Sequence, residues 1–347
     1  MAKGVEDRAF YRFNRLTSLN EVGSDPAVFS VTPAEFHARQ ERRLSESPES
    51  MTTLSTHDTK RGEDTRARID VLSEVPREWA SLLSRLRERA PLGDASLENL
   101  LWQAIVGAWP ASRDRLHGYA EKAAREAALS TSWDGPDSAF EERMHGLIDL
   151  VFDDSAIARL LEDFVESIRA AGWSNSLSAK LLQLTAPGVP DVYQGSELWE
   201  TSLVDPDNRR DVDFEIRRRI LDDVRSGACP PIDESGAAKL AVVNRTLLIR
   251  REHPELFTVY RPLDPSGSAA SHAIAFDRGG AVTIATRLPV SLLRDGGWGD
   301  TTLDVSGTDW VDVISGRTHT GSRLRVADLL GVYPVALLVP AGFAMGG

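Results

Sequence analysis

MTTLSTHDTKRGED occupies residues 51–64. Met51–Leu54 is a short, largely apolar run that stops abruptly at hydroxyls, an imidazole and a dense set of charges. That is the look of a strand running into a loop. Two readings fit the polar part. In the first it begins a charged helix, with Asp58 or Thr59 as the cap and Glu63 and Asp64 in the first turn. In the second it is a loop at the C-terminal end of a strand, where barrel enzymes keep their chemistry. There Ser55–Asp64 would hold sugar hydroxyls or charge. Composition alone leaves both open.

Downstream, residues 187–197 read PGVPDVYQGSE, which the prolines at 187 and 190 keep from being helical. A short strand feeding a loop is expected there. Tyr193 and Gln194 could stack on and hydrogen-bond a sugar, with Gly195 permitting a tight turn beside a ligand. A proline-stiffened turn is the plainer account. A third cluster, Leu203–Arg210 (LVDPDNRR), gathers carboxylates, an amide and guanidiniums. It suits either carbohydrate hydroxyls or a salt-bridged loop.

Between these clusters, residues 76–186 read as helical almost throughout. Trp79, Leu82, Leu83 and Leu86 recur at the spacing of one buried helix stripe. Phe140, Met144, Leu147, Ile148 and Val151 repeat it, with Ser138 and Glu141 as an expected capping box. Ile157, Leu160, Leu161, Phe164, Val165 and Ile168 predict another helix, capped at Gly172. Helical pattern returns at 217–224 and 237–251. From Phe257 onward HAIAF, AVTIATRL, WVDVI and PVALLV are short β runs between turns. They predict a small antiparallel sandwich of roughly 85–95 residues.

The net charge of −12 argues against a phosphate-backbone partner, which asks for a basic footprint. A single cysteine, Cys229, permits no intrachain disulfide. Charged residues near the N-terminus interrupt any signal-peptide core, and no apolar run approaches the ~18–20 residues needed to span a bilayer. The expectation is a cytoplasmic protein with no nucleic-acid or membrane partner. Neither a phosphate-cradling glycine loop nor HExxH or CxxC metal motifs occur, and the GxSxG nucleophile elbow is missing too.

Taken together, LSTHDTKRGEDTRARIDVLSE, LTAPGVPDVYQGSELWETSLVDPDNRRDVDF and the opening MAKGVEDRAFYRFNRLTSLNEVG resemble the conserved blocks of the malto-oligosyltrehalose synthase family. PGVPDVYQGSE is similar to the last barrel strand of the wider α-amylase superfamily, whereas THDTKR and DPDNRR are specific to the synthase. The resemblance implies an α/β fold: the C-terminal part of a (β/α)8 barrel with a helical insertion, followed by the antiparallel β-sandwich domain. Residues 1–75 would carry late barrel strands and the catalytic loop, and 76–186 the helical insertion. Residues 187–255 would hold the last strand and closing helices, and 256–347 the β domain.

It implies an intramolecular transglycosylation on a maltooligosaccharide substrate. The reducing-end α-1,4-linked glucose becomes an α,α-1,1-linked trehalosyl end, with no cofactor and no metal. Functional coupling to a trehalose-releasing hydrolase goes with that product. By the same resemblance Asp58 is the carboxylate that steadies the oxocarbenium-like transition state, and His57 hydrogen-bonds the sugar. Lys60 and Arg61 are inferred to retain the released glucose. Tyr193, Gln194 and Glu197 would line or buttress the cleft, and Asp207, Asn208 and Arg209 would bind substrate.

Retaining glycoside chemistry needs two carboxyls about 5 Å apart. In this family they are an Asp on the fourth strand and a Glu on the fifth, upstream of every block matched. A complete barrel typically takes ~250 residues, while only two or three strand candidates precede residue 240. The chain therefore reads as a fragment, inactive alone and with strand edges prone to aggregation. The alternatives are a non-catalytic carbohydrate-binding fragment, or another hydrolase or transferase of the superfamily.

Overall fold

The computed structural model describes residues 2–343. In chain order its first elements are α1 (Ala2–Arg12), α2 (Pro33–Glu46), β1 (Met51–Thr52), α3 (Glu63–Asp70), α4 (Pro76–Arg89), α5 (Ala95–Ala108), α6 (Arg113–Ala127), α7 (Ser138–Asp153) and α8 (Ser155–Thr185). There follow β2 (Val189–Pro190), α9 (Phe214–Arg225), α10 (Ala237–Glu252), β3 (Arg261–Leu263), β4 (Ala273–Asp277), β5 (Val282–Thr286) and α11 (Pro289–Arg294). The last are β6 (Thr302–Asp304), β7 (Asp309–Asp312), β8 (Thr318–Thr320), β9 (Arg323–Arg325), α12 (Val326–Leu329) and β10 (Val335–Pro340). Two compact units divide the chain. One comprises Met1–Phe29, His57–Gly172 and Thr201–Arg210; the other comprises Ser30–Thr56, Trp173–Glu200 and Asp211–Gly347.

The first unit is helical. Its apolar stripes bury as their period requires: Leu82 and Leu86 on α4, and Met144, Leu147, Ile148 and Val151 on α7, are all nearly inaccessible. α3 lies on α5 at Gly107, where an added Cβ would stand 2.8 Å from the Ile69 side chain and 2.9 Å from that of Thr65. Arg68 of α3 turns back to donate to the carbonyls of Val106 (3.2 Å) and Trp109 (2.6 Å), closing the end of α5. Burial draws its pKa down to about 10 even so, against the pull of Asp64.

Two expectations about helix ends are corrected. The cap of α7 is Asp137, whose carboxylate accepts from the Phe140 N–H at 2.9 Å; Ser138 is already the first helical residue. Glu141 faces Arg125 and Thr131 instead of reaching back to the cap. Gly172 does not end a helix either, since α8 runs on to Thr185. A Cβ at Gly172 would meet Arg68 Cα at 3.3 Å, so the glycine serves a close approach of α3.

The second unit holds the strands. β1 and β2 pair in parallel, Met51 with Val189 and Thr52 with Pro190. The N–H groups of Val189 and Asp191 donate to Ser50 and Thr52 (2.9 and 2.8 Å), so Pro190 sits where no donor is asked for. Gly188, at φ +114°, brings the segment in; a Cβ there would fall 2.8 Å from the Ser50 carbonyl. Gln183 clasps both strands through the carbonyls of Thr52 (3.0 Å) and Asp191 (2.7 Å).

The other strands form an antiparallel six-stranded sheet, ordered β3-β4-β5-β10-β7-β8, and a ribbon of β6 and β9. Val335, Leu337 and Val339 pack with Leu177 and Leu181 of α8 and with Val242 and Ile249 of α10. Ala336 and Leu338, on the opposite face, pack with Leu303 of β6 and Leu324 of β9. β10 is thus buried on both faces, which is why its run VALLV is continuously apolar. The second layer of the β domain is a two-stranded ribbon with α12. Near α10 the exposed thiol of Cys229 donates to the Tyr333 hydroxyl at 3.3 Å, and Tyr333 donates to the Pro230 carbonyl.

Candidate functional site

The polar stretch after β1 is a loop anchored from several sides. The cap of α3 is Gly62, which removes Asp58 and Thr59 from that duty. Glu63 and Asp64 do occupy the first turn, and both are buried. His57 and Asp58 stand out in solvent, with side chains 57% and 52% exposed and His57 Nε2 3.5 Å from Asp58 Oδ2. An exposed imidazole beside an exposed carboxylate is available to a ligand.

Lys60 and Arg61 face the other way. Lys60 Nζ is paired with Asp7, and its side chain is only 7% exposed. Its N–H donates to Glu21 (2.8 Å), which also takes the Arg61 N–H (3.3 Å). The buried Arg61 guanidinium donates to the Thr17 carbonyl (3.1 Å) and to the Tyr119 hydroxyl (2.8 Å). Burial raises the pKa of that phenol despite the nearby cation, so it stays neutral and able to accept. The first unit thus turns both cations inward on existing partners. A direct grip on a sugar is not what either side chain is arranged for.

A 3-10 turn, Asp207–Arg209, holds the loop from below. Asn208 donates to the His57 carbonyl at 2.8 Å. Arg61 and Leu203 form an antiparallel bridge, and the Gly62 N–H donates to Ser202 at 2.8 Å. Asp207 receives Arg115 through both oxygens (2.6 and 2.8 Å) and the Leu203 N–H (2.7 Å). Burial would push its carboxyl up, but Arg115 and the Leu203 N–H outweigh burial and hold it below the usual range. Arg209 is half exposed and paired with Asp205 (2.6 Å). Of the two readings of this cluster, Asp207 follows the salt-bridged loop.

The remaining candidates lie in the second unit. The Tyr193 carbonyl accepts from the N–H and hydroxyl of Ser196 (2.9 and 2.7 Å), the turn that Gly195 permits at φ +87°. Gln194 is exposed. Glu197 is engaged by Arg217 (3.1 Å), which also donates to the Gly195 carbonyl (2.6 Å). The structure therefore groups His57, Asp58, Lys60, Arg61, Asp207, Asn208 and Arg209 in one unit and Tyr193, Gln194 and Glu197 in the other. Sequence reasoning passed over Glu21, Tyr119 and Arg115. Glu21 sits in the quoted block LTSLNEVG and was within reach; nothing near Arg115 marks it.

Comparison with known proteins agrees on one kind of enzyme. Two Mycobacterium tuberculosis proteins, provisionally named maltooligosyl trehalose synthase, are 47% identical over 97% of this chain and 44% of their own length. The structure of maltooligosyltrehalose synthase from Arthrobacter ramosus matches at a TM-score of 0.96 and 57% identity, covering 98% of this chain and 45% of that one. A hypothetical maltooligosyl trehalose synthase of Sulfolobus tokodaii matches at 0.79 and 31% identity, over 96% and 44%. The chain thus spans a little under half the length of the curated relatives it matches. No family model matches it.

Proposed function

This chain belongs to the maltooligosyltrehalose synthase family, and from that premise we propose that it supplies the part of such an enzyme that carries the His57–Asp58 loop. The reaction is the conversion of a maltodextrin's reducing-end α-1,4-linked glucose into an α,α-1,1-linked trehalosyl end. The observation that carries the reading is the contrast along five residues, 57–61. His57 and Asp58 project into solvent, while Lys60 and Arg61 behind them are buried and bonded.

Asp58 offers a fixed negative charge to an oxocarbenium-like transition state, and such electrostatics act only when positioned beforehand. His57 hydrogen-bonds a sugar hydroxyl, its backbone held by Asn208. Lys60 and Arg61 position the pair by locking the loop to Glu21, Asp7 and Tyr119, and so keep the released glucose in register. Tyr193, Gln194 and Glu197 follow β2 in the second unit, and we carry them as further candidate sugar contacts of that unit. In this reading β1 and β2 are the seventh and eighth strands of a (β/α)8 barrel, 76–186 is its helical insertion, and the β domain is a reduced sandwich. The product suits a trehalose-releasing hydrolase acting next.

Retaining chemistry also needs a nucleophile and an acid/base about 5 Å apart. We assign neither to the residues of this chain, and infer that the 347-residue polypeptide alone neither isomerises nor hydrolyses maltopentaose. Product analysis decides: trehalosyl product from the purified chain would overturn the role assignments. Among the described residues no helix is long and apolar enough to cross a membrane.

A further inference from the structure

Arg217 lies in the first turn of α9, where a cation opposes the helix dipole, so the reason for it lies in what it touches. Its guanidinium spans three acceptors. Nη1 donates to the Asp213 carbonyl (3.0 Å), Nη2 to the Gly195 carbonyl (2.6 Å) and Nε to the Glu197 carboxylate (3.1 Å). The Arg217 and Glu197 side chains are 18% and 28% exposed. Asp213 caps the helix by accepting from the Ile216 N–H at 3.0 Å. The guanidinium is thus pinned to a capped helix end and reaches from there to the turn at 193–196.

That turn is fastened twice. Ser196, fully buried, closes it from within by donating its N–H and its hydroxyl to the Tyr193 carbonyl. Arg217 holds it from outside, at the carbonyl of the residue after Gln194. Gln194 is exposed, so the direction of its side chain follows from the backbone on either side. A lysine could not do the same. Its ammonium is a single point of charge, whereas the planar fork of arginine fits a carbonyl and a carboxylate at once.

We propose that Arg217 is a positioning residue for sugar recognition: without touching the substrate, it sets the turn that presents Tyr193 and Gln194. The inference rests on the function proposed above, in which those two side chains are candidate sugar contacts. The neighbouring Arg218 provides the control. It is paired with Glu215 on the same helix, and both side chains are largely exposed.

Two measurements test this. In the 347-residue chain, Arg217→Met should speed amide exchange at residues 194–196 by about tenfold or more, with Arg218→Met at the parent rate. In a full-length enzyme Arg217→Met should raise KM for maltopentaose about five- to tenfold, the scale of losing one well-placed hydrogen bond, and leave kcat within about twofold. Arg217→Lys keeps the charge and one bond to the turn, so it should fall between parent and Met variant, and it serves if the Met variant does not fold. A merely structural role would instead lower the folded fraction, and with it kcat, at an unchanged KM. Unaltered exchange in Arg217→Met overturns the proposal, and so does an unaltered KM where Gln194→Ala raises it. If Tyr193→Ala and Gln194→Ala leave KM unmoved as well, the reading of the turn as a sugar contact falls with the proposal.

Discussion

Replacing Asp207 with Asn removes one charge and almost no volume, and the structure sets its cost. Arg115 donates to both carboxylate oxygens, with side chains 16% and 11% exposed. Taking one partner from a buried ion pair costs about 3–5 kcal/mol, since the other charge is left uncompensated. Asn keeps an acceptor for the Leu203 N–H, a bond worth about 1 kcal/mol. Arg115 keeps the Thr201 carbonyl at 2.9 Å. The expected loss is therefore about 2–3 kcal/mol, read from the urea midpoint. Arg115→Met should cost a similar amount, and the double variant should recover part of the sum, with a coupling of about 1–3 kcal/mol. The pH dependence follows from the depressed carboxyl. A pKa below its unfolded value stabilises the fold above that value, 3.8, and the stabilisation is lost as pH falls through the folded one. The gap between parent and variant should hold near neutrality and close in acid. Single variants shifted by less than about 0.5 kcal/mol, or a strictly additive pair, would refute the brace.

Three further substitutions bear on other links. Asp58→Asn in a full-length enzyme should lower turnover by about 10²–10³ while leaving stability within about 0.5 kcal/mol, because Asp58 is half exposed and is not the cap of α3; near-normal kinetics would remove it from the mechanism. Lys60→Met in the same background should raise free glucose relative to trehalosyl product more than it slows bond cleavage, and an unchanged ratio would leave Lys60 a brace without a part in retention. Gly188→Ala must carry a side chain at φ +114° against a carbonyl 2.8 Å away, so a loss of about 2–3 kcal/mol is expected in a denaturant melt; a loss below about 1 kcal/mol would mean that β1 and β2 can part cheaply.

Helices and strands were legible because burial has a period. The stripes through Leu82 and Leu86, and through Met144 and Val151, needed only one-dimensional spacing. Helix ends were harder. Asp137 and Ser138 are adjacent and chemically alike as caps, and only the chain's path decides between them. Gly172 looked like a stop because a glycine made for close packing has the same letter as one made for a left-handed turn. The loop at 57–61 was visible as a cluster, but its division into outward and inward pairs was not. That division depends on Asp7, Thr17, Glu21 and Tyr119, far away in the chain, and no local pattern announces such partners.

Cys229 offers a practical consequence. It is the chain's one thiol, and it is exposed, so a maleimide fluorophore would attach at a single place without prior mutagenesis. The sulfur sits against the hydroxyl of Tyr333, whose own proton is committed to Pro230, so labelling takes away one weak donor and leaves the phenol satisfied. A dye there would report on the segment between α9 and α10, letting refolding of the second unit be followed in a protein whose eight tryptophans give a mixed signal.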